Sequence, residues 1–163
     1  MTRPPFSPPT DADIAEISEQ LGRPARGVIG VAARNERGEP TVVATAPRLE
    51  DGTPFPTLYY LSHPELTACV SQLEASGMMH ELNALLAVDE QLRQAYERAH
   101  ADYISDRERI ARVSELEGVS AGGMPNRVKC LHALVAHALA AGPGVNPIGD
   151  LALGAMTVEA SNS

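Results

Sequence analysis

Residues Gly27–Leu61 read GVIGVAARNERGEPTVVATAPRLEDGTPFPTLYYL, and three segments within them decide the fold. Gly27–Ala33 and Thr41–Ala46 are runs of β-branched and small apolar residues, the composition of strands with a buried face. Arg34–Pro40, between them, carries Asn35 and Gly38, so the two runs form a hairpin whose loop is longer than the tight two-residue kind. A proline-rich loop, PRLEDGTPFP, then leads to a third strand, Thr57–Leu61.

Helical patterns flank this unit. Thr10 is a suitable N-cap with Asp13 in the first turn, and Ile14, Ile17 and Leu21 carry an apolar stripe to a stop at Gly22. Ser62-His63-Pro64-Glu65 reads as a capping box, with Ser62 accepting from the Glu65 amide. It opens a helix whose stripe is Leu66, Val70 and Leu73, with Cys69 assigned to the core and Gly77 as the end. From Met79 to Val113 the pattern is helical and charged, with a break marked at Val88-Asp89. Leu85, Leu92 and Ala99 recur every seven residues, as do Tyr96, Tyr103 and Ile110. This long stretch either covers its own domain or offers a homodimer seam. Glu117–Gly123 reads as a glycine-bearing loop and Met124–Ala141 as the last strong helix, stopped by Gly142-Pro143-Gly144.

The pattern predicts an α+β fold: a small antiparallel sheet of about three strands, covered on one face by several helices, one of them long. Residues 10–156 form the single domain, residues 1–9 a proline-rich disordered arm, and residues 157–163 a polar tail. A net charge of −8, no Trp and only four Tyr and two Phe disfavour general nucleic-acid binding. No run approaches the roughly 18 apolar residues of a membrane span. The N-terminal stretch lacks the apolar core of a secretory signal, so a cytoplasmic location is expected, with Cys69 and Cys130 as reduced thiols.

Reactive chemistry concentrates in Gly122–His137, GGMPNRVKCLHALVAH. If a helix starts at Met124, then Gly122 and Gly123 permit close backbone approach and the open amides favour an anion. Arg127 and Lys129 add charge there, and Arg48 is a further cation for the same small anionic ligand. Cations at a helix N-terminus are unfavourable unless something negative offsets them. Cys130, His132 and His137 suggest zinc, with His63 as a distant ligand or base. A continuous helix resists that grouping, because Cys130 and His132 would point about 200° apart. Cys130 and His137 would share a face but lie about 10.5 Å apart along the axis. Cys130 is also the candidate catalytic thiolate, while His80 and His100 are assigned to solvent. No phosphate-binding glycine loop, H-E-x-x-H or G-x-S-x-G motif is present.

The stretches PRLEDGTPFPTLYYLSHPEL, VSQLEASGMM and GGMPNRVKCLHALVAHALAAGPGVNPIGD resemble the bacterial family called domain of unknown function 501, over Gly27 to Asp150. The resemblance implies cysteines in relatives at the positions of Asn35 and His63, and hence a metal set completed by Cys130 and a histidine. This chain departs at both positions, which implies a three-ligand site or none. Three functions stand as expectations: a protein binding a small anion or phosphate-bearing ligand at the Gly122–Lys129 helix start, a metal-dependent or cysteine-based enzyme using His63, Cys130 and His132 or His137, and a helical interaction or dimerisation protein.

Overall fold

The computed structural model describes residues 3–162, with side chains through residue 157. Its elements are α1 (Asp11–Leu21), β1 (Val28–Arg34), β2 (Pro40–Thr45), β3 (Tyr59–Leu61), α2 (Pro64–Ala75), α3 (Met78–Val88), α4 (Glu90–Ile110), α5 (Leu131–Ala141) and α6 (Pro147–Asn162). A 3-10 turn, Ser114–Leu116, lies between α4 and α5. The α+β class, the three-stranded antiparallel sheet and a 21-residue helix match the sequence pattern.

Register explains what each sheet face does. Val42 pairs with Leu61 and Ala44 with Tyr59, so these four share one face, while Val43 and Tyr60 share the other. The first face joins Tyr96 and Tyr103 of α4 and Leu131, Leu134 and Val135 of α5 in the main core. The second face is covered too, by Leu21 of α1 and by Leu49 and Phe55 of the proline-rich loop. Every residue of β2 is consequently buried, which corrects the expectation of one covered face.

Local capping sets the element ends. Thr10 and Asp13 make a reciprocal capping box, and Gly22 closes α1 with φ 72°. The α2 cap is His63, not Ser62: its Nδ1 accepts from the Glu65 amide at 3.3 Å, while the Ser62 hydroxyl donates to Gln20 at 2.8 Å. Cys69 is exposed, because Val70 and Leu73 carry the buried stripe of α2. Asp89 separates α3 from α4 by accepting the Leu92 amide at 3.0 Å. Tyr96, Ala99 and Tyr103 of α4 are fully buried within their own chain. Helix α5 begins at Leu131, seven residues after Met124, and α6 continues to Asn162 through the segment expected to be a polar tail.

Residues 3–9 also differ from the expected disordered arm, of which Met1 and Thr2 lie outside the described residues. Arg3 grips Asp102 through two hydrogen bonds, of 2.7 and 3.0 Å, and pairs with buried Asp106. Phe6 packs edge-on to Tyr59 at 6.3 Å. Gly30 makes room for this, since a Cβ there would lie 2.5 Å from the Phe6 Cβ. Proline richness limits backbone donors, but one arginine and one aromatic ring suffice to tie the segment down.

The arm closes over a buried polar network. The Gly149 amide donates to Asn146 Oδ1 at 3.0 Å, which orients Asn146 Nδ2 to donate to His137 Nδ1 at 3.1 Å. His137 Nε2 is therefore the protonated nitrogen and donates to Asp102 at 2.9 Å. The imidazole is stacked on Tyr59 and meets Tyr103 edge-on. Tyr59 donates to Asp106 at 2.6 Å, and the Tyr103 oxygen accepts the Leu58 and Tyr59 amides. Burial alone would raise the Asp102 carboxyl, but His137 and Arg3 hold it below its ordinary 3.8, at about 2. A depressed carboxyl contributes stability above the unfolded-state value and loses it as pH falls through the folded one. Denaturant midpoints should therefore fall between about pH 4 and pH 2, and Asp102→Asn should flatten that decline. Equal pH slopes in both proteins would contradict this.

Candidate functional site

Gly122 and Gly123 adopt φ 68° and 94°, values that only glycine takes without strain. They turn the chain back on itself. The Gly122 carbonyl accepts the amides of Lys129 (2.7 Å) and Cys130 (3.3 Å), and the Gly123 carbonyl those of Asn126 (3.2 Å) and Arg127 (3.1 Å). The Met124 amide donates to Ala121, and Asn83 takes both the amide and the carbonyl of Val128.

No helix therefore starts at Met124, and no row of open amides stands behind the anion site expected at Gly122, Gly123, Arg127 and Lys129. Arg127 and Lys129 are exposed, and neither forms an ion pair among the described residues. Arg48 is committed elsewhere. It donates to Glu115 at 2.9 and 3.1 Å and to the Gly52 carbonyl, and holds the Glu115 carboxyl down at about 2.

The loop has a different consequence. Cys130 becomes the N-cap of α5 with an extended backbone, φ −147° and ψ 111°, so the 200° separation from His132 does not apply. Cys130, His132 and Glu74 of the last turn of α2 bring a sulfur, a nitrogen and an oxygen within 4.8 Å of one another. His132 Nδ1 lies 3.2 Å from Glu74 Oε1, and its Nε2 lies 3.2 Å from the Ser71 hydroxyl. Glu74 Oε2 accepts the Leu131 amide at 2.9 Å, satisfying one of the open donors of α5. Cys130 and His132 line a cleft of about 310 Å³ with Thr57, Tyr60, Leu61 and Thr67.

Sequence reasoning passed over Glu74 and Ser71. The available signal was their three-residue spacing near the α2 end, inside the quoted stretch VSQLEASGMM.

The other histidines do not join this cluster. His63 caps the opposite end of α2, about 16 Å from Glu74 along the helix axis. Its Nε2 lies 3.4 Å from Glu39. Asn35 and Arg37 donate to the same Glu39 carboxylate and hold it at about 2, so Asn35 and His63 meet there rather than at Cys130. His137 is fully buried with both ring nitrogens engaged. His80 is exposed as expected, but His100 lies 2.6 Å from the buried Ser120 hydroxyl. Burial and Arg107 lower the His100 imidazole below its ordinary value.

The family model of DUF501, described as a protein of unknown function, matches residues 31–154. The chain belongs to the DUF501 family. No curated protein and no solved structure matches it. The matched region contains Glu74, Cys130 and His132.

The Gly122 loop should be sensitive to a single methyl group. A Cβ at Gly122 would lie 2.6 Å from Leu134 Cδ2, on a residue held at φ 68°. Gly122→Ala should cost about 2–4 kcal/mol in denaturant unfolding, whereas Gly118→Ala, where a Cβ meets open space, should cost about 1 kcal/mol from its backbone angle alone. Equal losses would contradict the packing role assigned to Gly122.

Proposed function

We propose that this DUF501 protein holds a zinc-class divalent ion through Cys130 Sγ, His132 Nδ1 and Glu74 Oε1, with its fourth position open to the cleft. The observation that carries this reading is the mixed sulfur, nitrogen and oxygen donor set within 4.8 Å. Bonds of about 2.0–2.3 Å in a tetrahedral ion put donors roughly 3.3–3.8 Å apart, within reach of small side-chain adjustments. The outer support favours a ligand set as well. Ser71 receives the N–H of the non-ligating imidazole nitrogen, and the Leu131 amide holds the second oxygen of Glu74.

Three protein ligands and an open position suit Lewis-acid chemistry rather than a closed structural site. The His132 and Ala133 amides, in the first turn of α5, have no carbonyl of their own helix to bond, and both residues line the cleft. An oxyanion-bearing ligand is therefore the class that fits the open position, at this helix start rather than at Arg127.

A thiol-based reaction is the second reading of the same side chains. It is favoured by Cys130 standing at the α5 N-cap without a side-chain capping bond, beside His132 as a base.

Dialysis against zinc followed by metal analysis separates the two. The metal reading predicts one equivalent, lost in Cys130→Ser and His132→Ala, weakened about tenfold or more in Ser71→Ala, and unchanged in His63→Ala. Zinc should also protect Cys130 from iodoacetamide. Absence of stoichiometric metal at micromolar zinc, or loss in His63→Ala equal to that in Cys130→Ser, would overturn it. Rapid alkylation at Cys130 of the metal-free protein, read apart from exposed Cys69 by peptide mapping and abolished by His132→Ala, would favour the thiol reading.

A further inference from the structure

We infer that the groove between β1 and α4 is a recognition site for an arginine-bearing segment, and that two copies of this chain exchange its occupant. In the closed chain residues 3–6 fill it. Arg3 lies against Asp102 and Asp106, and the Phe6 ring rests on Tyr59 where Gly30 leaves room. Pro4, between these two anchors, is buried.

Two observations separate a receptor and its ligand here from a fixed part of the core. The first is how the arm is held. Four of residues 3–9 are prolines, which carry no amide proton. No backbone group of residues 3–9 hydrogen-bonds another described residue. Side chains alone hold the arm, so it opens without breaking a ladder or helix bond, at the low-stability end of the molecule. The second observation is that the receptor is built without the arm. Tyr59 orients Asp106 by donating at 2.6 Å, and His137 orients Asp102 by donating at 2.9 Å. Both donors belong to the core and stay when Arg3 leaves. The open groove then presents two held carboxylates beside an aromatic wall, and the Asp106 side chain is only 6% exposed. A buried carboxylate that has lost its cation is costly, so the groove favours recapture of one. Two nitrogens of Arg3 reach the two oxygens of Asp102, a pairing that a planar guanidinium makes and an ammonium does not.

The occupant that fits is the arm of a second copy, because its Arg3-to-Phe6 spacing already matches the distance from Asp102 to the gap at Gly30. A tethered arm competes at an effective concentration of roughly millimolar, so exchange appears once a copy's own arm is disabled. Cys130, His132 and Glu74 take no part in this groove. Failure of the metal reading thus leaves it standing, and the reverse also holds.

Two full-length variants with complementary defects test the exchange. Arg3→Ala with Phe6→Ala leaves a groove without an occupant, while Asp102→Asn with Asp106→Asn leaves an arm without a receptor. Titrating the isotopically labelled first variant with the second should give saturable amide NMR shifts at Gly30, Tyr59 and Asp106, with a midpoint below about 1 mM. Adding Arg3→Lys to the second variant should weaken this at least about fivefold. No shifts up to about 1 mM, or shifts that Arg3→Lys leaves unchanged, would overturn the proposal. The unsubstituted chain supplies a measurement that needs no variant to fold. A synthetic peptide of residues 1–9, at about 5 mM to outcompete the tether, should move the Arg3 Nε–H resonance toward its position in a free peptide. A resonance that stays in place would equally overturn the exchange.

Discussion

The amides of Lys129 and Cys130 converge on one carbonyl, that of Gly122, and the placement of α5 depends on that closure. While those amides are spent on Gly122 they cannot cap or extend a helix, so α5 waits until Leu131. Cys130 is left with extended backbone, and its side chain lies on the side where α2 delivers Glu74. Glu74 then does two things with one carboxylate: it takes the first amide of α5 and faces the His132 ring. The loop and the site are a single construction, because a helix running through Cys130 would hold the thiol and the imidazole on opposite sides.

The body that supports this arrangement is organised around a buried imidazole. His137, one helix face away from His132, links Asn146 of the α5–α6 connection to Asp102 of α4. Arg3 clamps the same carboxylate from the N-terminal segment. Three parts of the chain distant in sequence (the N-terminal segment, α4, and α5 with its connection to α6) thereby share one polar chain inside an apolar core. None of its buried side-chain polar atoms lacks a partner, which is the condition under which a buried network specifies one packing and does not loosen it. The reward is a fixed α5, and through α5 a fixed Cys130 and His132.

Periodicity and capping chemistry made much of the fold legible. The Thr10 cap, the three strands, the interruption at Asp89 and the stop at Gly142 are local decisions written in neighbouring residues. The misplaced start of α5 has a physical cause. Val128, Leu131, Leu134 and Val135 are all buried, and an apolar stripe continues through a coil as readily as through a helix, so periodicity did not mark the boundary. What marks it is the Gly122 carbonyl, which accepts the amide seven residues later, at Lys129, a contact no helical wheel contains. Cys130 and His132 were recognised as reactive residues, but Glu74 belongs to another helix 56 residues before Cys130, and only packing of α2 on α5 makes them neighbours. His63 and His137 carried equal weight in sequence because histidine is equally suited to capping, buried networks and metal ligation. Burial and partners separate those roles.

The central claim is that Cys130, His132 and Glu74 act as one donor set. X-ray absorption at the zinc edge of the metal-loaded protein examines it at the bonds themselves. The account predicts one sulfur at about 2.3 Å and nitrogen or oxygen neighbours at about 2.0–2.2 Å, with the sulfur shell absent in Cys130→Ser. A shell of nitrogen and oxygen alone in the unsubstituted protein would contradict it.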